Sequence, residues 1–242
     1  MLRLRTLGTL RLEGPHGVLL AGKRKELALL AYLARRAPAA VPRAELAELL
    51  WGDREEARAR HSLRQALLAL KRALGDVLVV AGDGVAVAAG AVELDAAAFQ
   101  GELEAGRVEA ALAWWGGGFM GPHDDLGSGA YRVWVDGERA RLRRLLEAAL
   151  ERWVTDAEAR AEWPVMAERA ARWAELDPHA VRPCALRVEA LLLDGRTELA
   201  RAEHAAFGAR LAAAGEGEPP AEWVRLAERI GRGGGGRPQA PA

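Results

Sequence analysis

The chain has 242 residues, half of them hydrophobic, which is enough for two small cores. Its single cysteine, Cys184, excludes an internal disulfide, and no apolar run approaches the ~20 residues that a membrane-spanning helix needs. The net charge is zero, but residues 1–95 hold 15 basic and 11 acidic side chains, whereas the remainder holds 19 and 23. We therefore predict a soluble cytoplasmic protein whose basic front half meets a polyanion.

The front of the chain predicts strands, then three helices, then a hairpin. Alternating apolar and polar residues indicate strands over 2–12 and 18–20. Helical spacing follows over 23–36, over 42–52 and over the arginine-rich helix, 54–75. Two runs rich in valine then flank the turn sequence Ala-Gly-Asp-Gly, which is typical of a hairpin. This order of elements is that of a winged helix.

The arginine-rich helix separates an apolar face from a cationic one. Its apolar positions are Leu63, Leu67, Leu70 and Leu74. No Asp or Glu occurs from Ala57 to Gly75, and Asp53 and Gly75 are the predicted N-cap and C-cap. Such a helix suits insertion between a protein core and a phosphate-lined groove. For a helix of this kind taken alone, however, an ordinary solvated face is the more common explanation.

Three blocks in this region resemble the OmpR/PhoB-type winged helix of bacterial SARP-like regulators. They are Lys23-Arg-Lys-Glu-Leu-Ala-Leu-Leu-Ala-Tyr-Leu33, Arg43-x-Glu-Leu-x-x-x-Leu-Trp-Gly52 and Ser62-Leu-Arg-Gln-Ala-Leu-x-x-Leu-Lys-Arg-Ala-Leu-Gly75. The resemblance implies a winged-helix DNA-binding domain over residues 1–95. In that family the third helix enters the major groove of double-stranded DNA, while the second helix and the wing touch phosphates and the minor groove.

The same resemblance implies a set of residues that contact DNA. Base-facing positions are His61, Ser62 and Gln65. Contacts to phosphate or base are implied for Arg58, Arg60, Arg64, Lys71 and Arg72. Phosphate anchors near helix starts are Lys23 and Arg43.

Two features depart from the family pattern. Leu68 and Ala69 are apolar where relatives usually carry Ser or Arg, and the wing tip holds Asp83 rather than a basic residue. An acidic wing tip repels a phosphate. These features favour an alternative in which the winged helix has lost DNA binding and the protein is an interaction adaptor.

The rear of the chain, residues 96–230, predicts an all-α domain. Two short helices around Gly106 precede long helical segments over 131–160, 164–176, 179–193, 197–214 and 221–230. Short turns between helices of this length are typical of a tetratricopeptide-like repeat. Residues 231–242 are rich in Gly and Pro and are predicted to be a disordered tail.

Four motifs in the rear half resemble the bacterial transcriptional activator domain. They are Trp114-Trp-Gly-Gly-Gly-Phe-Met120, the block from Trp134 to Leu142, Asp177-Pro-x-x-Val-Arg182, and Gly217-Glu-Pro-Pro220 before Trp223. In relatives this domain directly follows the winged helix. The resemblance implies that the helical half holds a second copy on DNA, as a homodimer, or contacts RNA polymerase.

Seven of the eight tryptophans lie in the rear half. They suggest either an aromatic cage for a ligand or bulky fillers between Ala-rich helices, and we expect fillers at most positions. Trp163, next to Pro164 at a helix start, is the residue we expect to be partly exposed.

No catalytic or metal-binding motif stands out. The five histidines lack metal-ligand spacing, and Gly116-Gly117-Gly118 is followed by Phe119 rather than by the Lys-Ser or Lys-Thr of a phosphate-binding loop. We expect neither an enzyme nor a cofactor. The sequence predicts a DNA-binding transcription regulator that acts as an activator. Besides the adaptor, a further alternative is that the chain is the front part of a larger regulator.

Overall fold

The computed structural model describes residues 1–215 and 220–232. The chain divides into two compact units, Met1–Glu147 and a second unit that begins at Ala148. The first unit contains two small sheets and the helices of the winged helix, together with three further helical elements. The second unit is helical. A winged helix followed by a helical domain is therefore confirmed.

The strands of the first sheet come before and after the three helices of the winged helix. Its strands are β1 (Leu2–Arg5), β2 (Arg11–Gly14), β3 (Gly17–Leu19) and, after the helices, β7 (Val92–Leu94). The order is β3-β2-β1-β7, with β1 antiparallel to β2 and parallel to β7. Leu4 and Leu12 face each other in the register and are fully buried, which explains the apolar alternation of these strands. The sequence did not predict β7 as a strand.

Three helices and a hairpin lie between these strands. The helices are α1 (Arg24–Arg36), α2 (Arg43–Trp51) and α3 (Glu56–Leu74). The second sheet is formed by β4 (Val41–Pro42), β5 (Leu78–Ala81) and β6 (Gly84–Val87), and β6 pairs with both of the others. The predicted hairpin, β5 and β6, is thus confirmed, and its Gly82-Asp83 turn forms the wing tip. A short 3-10 turn, Gly75–Val77, connects α3 to the wing.

The start of α3 differs from the prediction. The helix begins at Glu56, its N-cap is Glu55, and no side chain caps it. The prediction of Asp53 as the N-cap was wrong, because residues 52–54 form a turn in which the Arg54 N–H donates to the carbonyl of Trp51 at 2.9 Å. Gly75 does end the helix with a positive φ of 58°.

Residues beyond the predicted boundary at 95 pack against the winged helix. The following helices are α4 (Asp95–Glu104), α5 (Val108–Leu112) and α6 (Gly129–Ala159). The first part of α6 brings Trp134 against Tyr32 of α1, with ring centroids 4.9 Å apart, and places Glu138 2.9 Å from Arg35. The compact unit accordingly ends at Glu147 rather than at residue 95.

The Gly-rich motif at 116–118 crosses the loop between β1 and β2. Gly8 N–H donates to the Gly118 carbonyl at 2.9 Å, and Met120 N–H donates to the Thr6 carbonyl at 2.6 Å. A Cβ on Gly8 would lie 2.0 Å from the Gly116 carbonyl oxygen. The glycines therefore serve close backbone packing.

Replacing Gly8 by alanine should destabilise the first unit. Gly8 has a φ of +80°, and the added Cβ would displace the backbone that crosses it. We expect a loss of roughly 1–3 kcal/mol in the free energy of unfolding, measured by urea denaturation. Gly137→Ala is the matched control, because its Cβ would meet nothing and alanine favours a helix interior. If the Gly8→Ala variant is as stable as the Gly137→Ala control, the close backbone packing of Gly8 against residues 116–118 is contradicted.

The second unit is built from consecutive helices. They are the end of α6, then α7 (Trp163–Ala174), α8 (Val181–Leu193), α9 (Thr197–Ala214) and α10 (Ala221–Gly231). Helix α8 packs against α7, α9 and α10. Arg182 of α8 pairs with Glu151 at 2.6 Å and with Glu222 of α10 at 3.1 Å. The last residues of the predicted tail, 233–242, and most of the Gly217-Glu-Pro-Pro220 motif lie outside the described residues.

The tryptophans are packed rather than exposed. Trp51, Trp173 and Trp223 are buried, and the other five are half-buried. Trp134 contacts Tyr32, Phe119 and Tyr131. Trp163 was expected to be the partly exposed tryptophan. It is half-buried, but so are four others.

Candidate nucleic-acid interface

Helix α3 buries one face and presents the other to solvent. Its buried residues are Ala59, Leu63, Ala66, Leu67, Leu70 and Leu74. Its exposed side, which we call the polar face, carries Arg58, Arg60, His61, Arg64, Gln65, Lys71 and Arg72. Ser62 is half-buried at the edge of this face. The leucine pattern thus places seven of the ten predicted contact residues on one exposed surface.

Two arginines of the polar face pair with glutamates at the start of the helix. Arg58 lies 3.6 Å from Glu55, and Arg60 pairs with Glu56 one turn away. All four side chains are more than two-thirds exposed. Ion pairs this exposed are worth little in water, so the arginines can exchange their glutamates for another anion.

Lys71 is engaged at the far end of the helix. Its Nζ donates to the Leu78 carbonyl of β5 at 3.1 Å and lies 3.3 Å from Asp76. This side chain therefore joins α3 to the wing.

The middle of the polar face is unpaired. Among the described residues, none of His61, Arg64, Gln65 and Arg72 makes a side-chain hydrogen bond or an ion pair. Their donor and acceptor groups are therefore available to a partner.

The two predicted phosphate anchors lie at helix starts. Lys23 is exposed at the N-cap of α1. Arg43 is the first residue of α2, and its backbone N–H donates to the Asp83 carbonyl at 3.0 Å. The wing tip thus meets the N-terminus of α2, where unpaired backbone N–H groups favour an anion.

A cavity of about 450 Å³ joins the start of α1 to α3. Its lining includes Lys23, Arg24, His61, Ser62 and Gln65, so it brings one predicted anchor beside the three predicted base-facing residues. We call it the α1–α3 cavity.

Lys25 of α1 is fixed by contacts with the end of α2. Its Nζ donates to the Leu50 carbonyl at 3.1 Å, near the C-terminus of α2, and lies 5.5 Å from the centre of the Trp51 ring. Burial, and next the charge of Arg54, lower the pKa of Lys25. Lys25 therefore has a structural task that the sequence did not reveal.

Two arginines near the polar face were missing from the sequence prediction. Arg24 lines the α1–α3 cavity, and Arg54 lies in the turn before α3, where its Nη1 is 3.3 Å from the Ser62 hydroxyl. Neither follows the leucine periodicity that marked α3. A count of basic residues at the helix starts and turns would have found both.

The departures from the family pattern are at the surface. Leu68 is 43% exposed on α3, and Asp83 is exposed at the wing tip. Because Leu68 faces solvent, packing in the core does not account for its apolar side chain.

The described residues contain no group of three or more His, Cys, Asp or Glu side chains that could hold a metal ion. In the same part of the chain, no helix is both long and apolar enough to cross a bilayer.

Comparison with known proteins identifies the front of the chain. Residues 17–84, from β3 to the wing, match the family model described as "Transcriptional regulatory protein, C terminal". This segment is similar to that family. The predicted OmpR/PhoB-type winged helix is thereby confirmed, and the SARP-like resemblance agrees with it.

The fold of the chain is similar to that of a solved structure. "Mycobacterium tuberculosis EmbR in complex with low affinity phosphopeptide" is 20% identical and superposes with a TM-score of 0.67. The match covers 99% of this chain and 66% of EmbR, so this chain spans about two thirds of that structure. At this identity the likeness shows a shared fold. A search of curated proteins found no match to the chain.

Proposed function

We propose that this protein is a sequence-specific DNA-binding transcription regulator that acts as an activator. In this proposal α3 lies in the major groove, and His61, Ser62, Arg64 and Gln65 read base edges. The observation that carries it is the polar face of α3, which is exposed and free of acidic residues from Ala57 onward. The similarity of residues 17–84 to a family of transcriptional regulatory proteins supports the same function.

The side-chain chemistry of the polar face suits base reading. Arginine donates two parallel hydrogen bonds to guanine, and glutamine pairs in the same way with adenine. Arg64 and Gln65 carry these groups, and both are exposed and unpaired in the described chain. Arg58 and Arg60 would supply phosphate contacts after releasing their glutamates.

The balance of charge favours two copies on one site. A front half with a net charge of only +4 neutralises few phosphates, so one copy gives weak affinity. Two winged helices on a direct repeat would gain affinity through effective concentration. We propose that the helical half holds the second copy or contacts RNA polymerase.

Arg64→Ala and Gln65→Ala should each weaken binding to the selected site. The protein would first be used to capture fragments of its host genome, and the enriched duplex would then be titrated by fluorescence anisotropy. We expect a loss of about 1–3 kcal/mol in binding free energy and a smaller preference over a scrambled duplex. Arg43→Ala should instead weaken both duplexes equally, because a phosphate contact carries no sequence information.

Arg144→Ala is the matched control, since Arg144 is an exposed arginine that belongs to α6 and not to α3. It removes the same charge and should leave the preference for the selected duplex unchanged. If wild type, Arg64→Ala and Gln65→Ala all show the same preference for the selected duplex over the scrambled one, Arg64 and Gln65 do not read bases.

A second candidate function is that of a protein-interaction adaptor. Leu68, Val79 and Val80 are all more than two-fifths exposed on α3 and the wing, and Asp83 adds a negative charge at the wing tip. Exposed apolar side chains are typical of protein contacts. If capture at low salt enriches no genomic fragment, the adaptor becomes the better-supported function.

A further inference from the structure

Leu68 is an exposed leucine in the middle of the polar face of α3. Its side chain is 43% exposed. It lies two residues from the buried Leu70, which is about 200° around the helix and therefore on the opposite side. Its neighbours on the helix surface, three and four residues away, are Arg64, Gln65, Lys71 and Arg72. One leucine thus lies among three basic side chains and an amide.

Leu68 lies between the two residues proposed to read bases. At about 100° per residue, it falls between Arg64 and Gln65 when α3 is viewed along its axis. Along that axis it lies about 6 Å, one turn, beyond Arg64. Ala69, the other apolar departure from the family pattern, is half-buried, and its methyl group reaches less far from the helix. In the proposed function, Leu68 is therefore the apolar residue of α3 that faces base edges.

The major groove has a chemical group that matches a leucine. Among the groups by which base pairs differ there, the apolar one is the C5 methyl group of thymine, and the others donate or accept hydrogen bonds. Against that methyl group, a leucine removes apolar surface of both partners from water, which is favourable. Against the edge of another base, it would cover polar groups without pairing them, which costs free energy. A leucine at this position therefore favours thymine.

We propose that Leu68 is a specificity-determining residue that reads the C5 methyl group of a thymine in the major groove. This inference rests on the proposed function and deepens it, because it assigns one base of the site that Arg64 and Gln65 read. Base pairs are about 3.4 Å apart along the duplex. With α3 lying along the groove, the thymine would be roughly one or two base pairs from the base that Arg64 contacts.

The test removes the methyl group and nothing else. In the duplex selected by genomic capture, each thymine is replaced in turn by uracil, which keeps the hydrogen-bonding groups of thymine and lacks its methyl group. At a thymine in the contacted site, we expect wild type to bind about fourfold more weakly, because the burial of one methyl-sized group is lost. Fluorescence anisotropy at constant salt measures each affinity.

Leu68→Ala should bind the unmodified duplex more weakly by a similar factor, about fourfold, and should show the same affinity with and without that methyl group. The comparison of the four affinities is a double-mutant cycle, which isolates the contact between the leucine and the methyl group. Leu68→Met, which keeps a long apolar side chain, should recover part of the uracil response, whereas Leu68→Ser should not.

Leu199→Ala is the matched control, since Leu199 is a leucine of α9 that is 46% exposed. It makes the same substitution outside α3 and should keep the uracil response that Leu68→Ala loses. Thermal unfolding of each variant checks the fold. We expect Leu68→Ala to stay folded, because the side chain is exposed and alanine favours a helix.

Two outcomes would overturn the contact. One is specific binding of a selected duplex that has no thymine in the contacted site or shows no loss of affinity at any uracil, in which case the proposed function stands without this contact. The other is a Leu68→Ala variant whose uracil profile equals that of wild type, which would assign the methyl group to another residue. A capture that enriches no duplex at all removes the proposed function together with this contact.

Discussion

A chain that ends at residue 95 is expected to show no cooperative unfolding transition, whereas a chain that ends at residue 147 should unfold cooperatively. Residues after 95 fill the core of the first unit: Phe119 is 1% exposed, and its backbone forms a bridge with Leu7. Trp134 covers Tyr32. Urea denaturation followed by tryptophan fluorescence and circular dichroism would compare the two chains.

Helix α2 also depends on these later residues. The Ser128 hydroxyl donates to the Glu48 carbonyl at 2.7 Å, and the Ser128 N–H donates to the Leu49 carbonyl at 3.0 Å. The second contact satisfies the Leu49 carbonyl near the C-terminus of α2, and the first adds to the hydrogen bond that the Glu48 carbonyl accepts from the Gly52 N–H. A 1–95 chain that unfolds at the same urea concentration as the 1–147 chain would show that this packing is dispensable.

Asp95→Ala should destabilise the first unit more than Gly8→Ala does. Asp95 is 2% exposed, and its carboxylate accepts hydrogen bonds from Thr6 N–H at 2.7 Å, Leu7 N–H at 2.9 Å and the Thr6 hydroxyl at 2.6 Å. It also accepts from the N–H of its neighbour Ala96. Alanine would leave several buried donors without an acceptor.

We expect the free energy of unfolding to fall by about 3–5 kcal/mol, because each unsatisfied buried donor costs about 1–3 kcal/mol and relaxation recovers part of it. Asp95→Asn keeps one acceptor oxygen and should lie between wild type and alanine. Asp76→Ala, at a fully exposed aspartate, is the control and should change stability little. A loss no greater than that of the control would show that solvent replaces the carboxylate.

Local patterns were sufficient to predict the three helices and the hairpin of the winged helix. Helical spacing of leucines located α1, α2 and α3, and the Ala-Gly-Asp-Gly turn located the wing, because both signals depend on neighbours within a few residues. The exposed positions of Arg64 and Gln65 follow from the same periodicity. The cap at Asp53 was misplaced because the turn before α3 uses backbone hydrogen bonds that residue type does not reveal.

Long-range contacts were beyond the sequence. The pairing of β1 with β7, the packing of Trp134 on Tyr32 and the crossing of Gly8 by Gly116 join segments far apart in the chain. Because these contacts are not visible in the sequence, the change to a helical sequence pattern after residue 95 suggested a domain boundary there. Arg24 was missed for the same reason, since its place in the α1–α3 cavity with His61 and Gln65 depends on how α1 and α3 pack.

Cross-linking from α3 tests the central claim, that the polar face of this helix lies against a nucleic-acid duplex. A photoreactive residue would replace Gln65, and in a second protein Val133, which is 74% exposed on α6. With the genome-selected duplex at low salt, we expect a cross-link to bases from position 65 and none from position 133. A protein that binds the duplex but cross-links to it from position 133 and not from position 65 would contradict the claim.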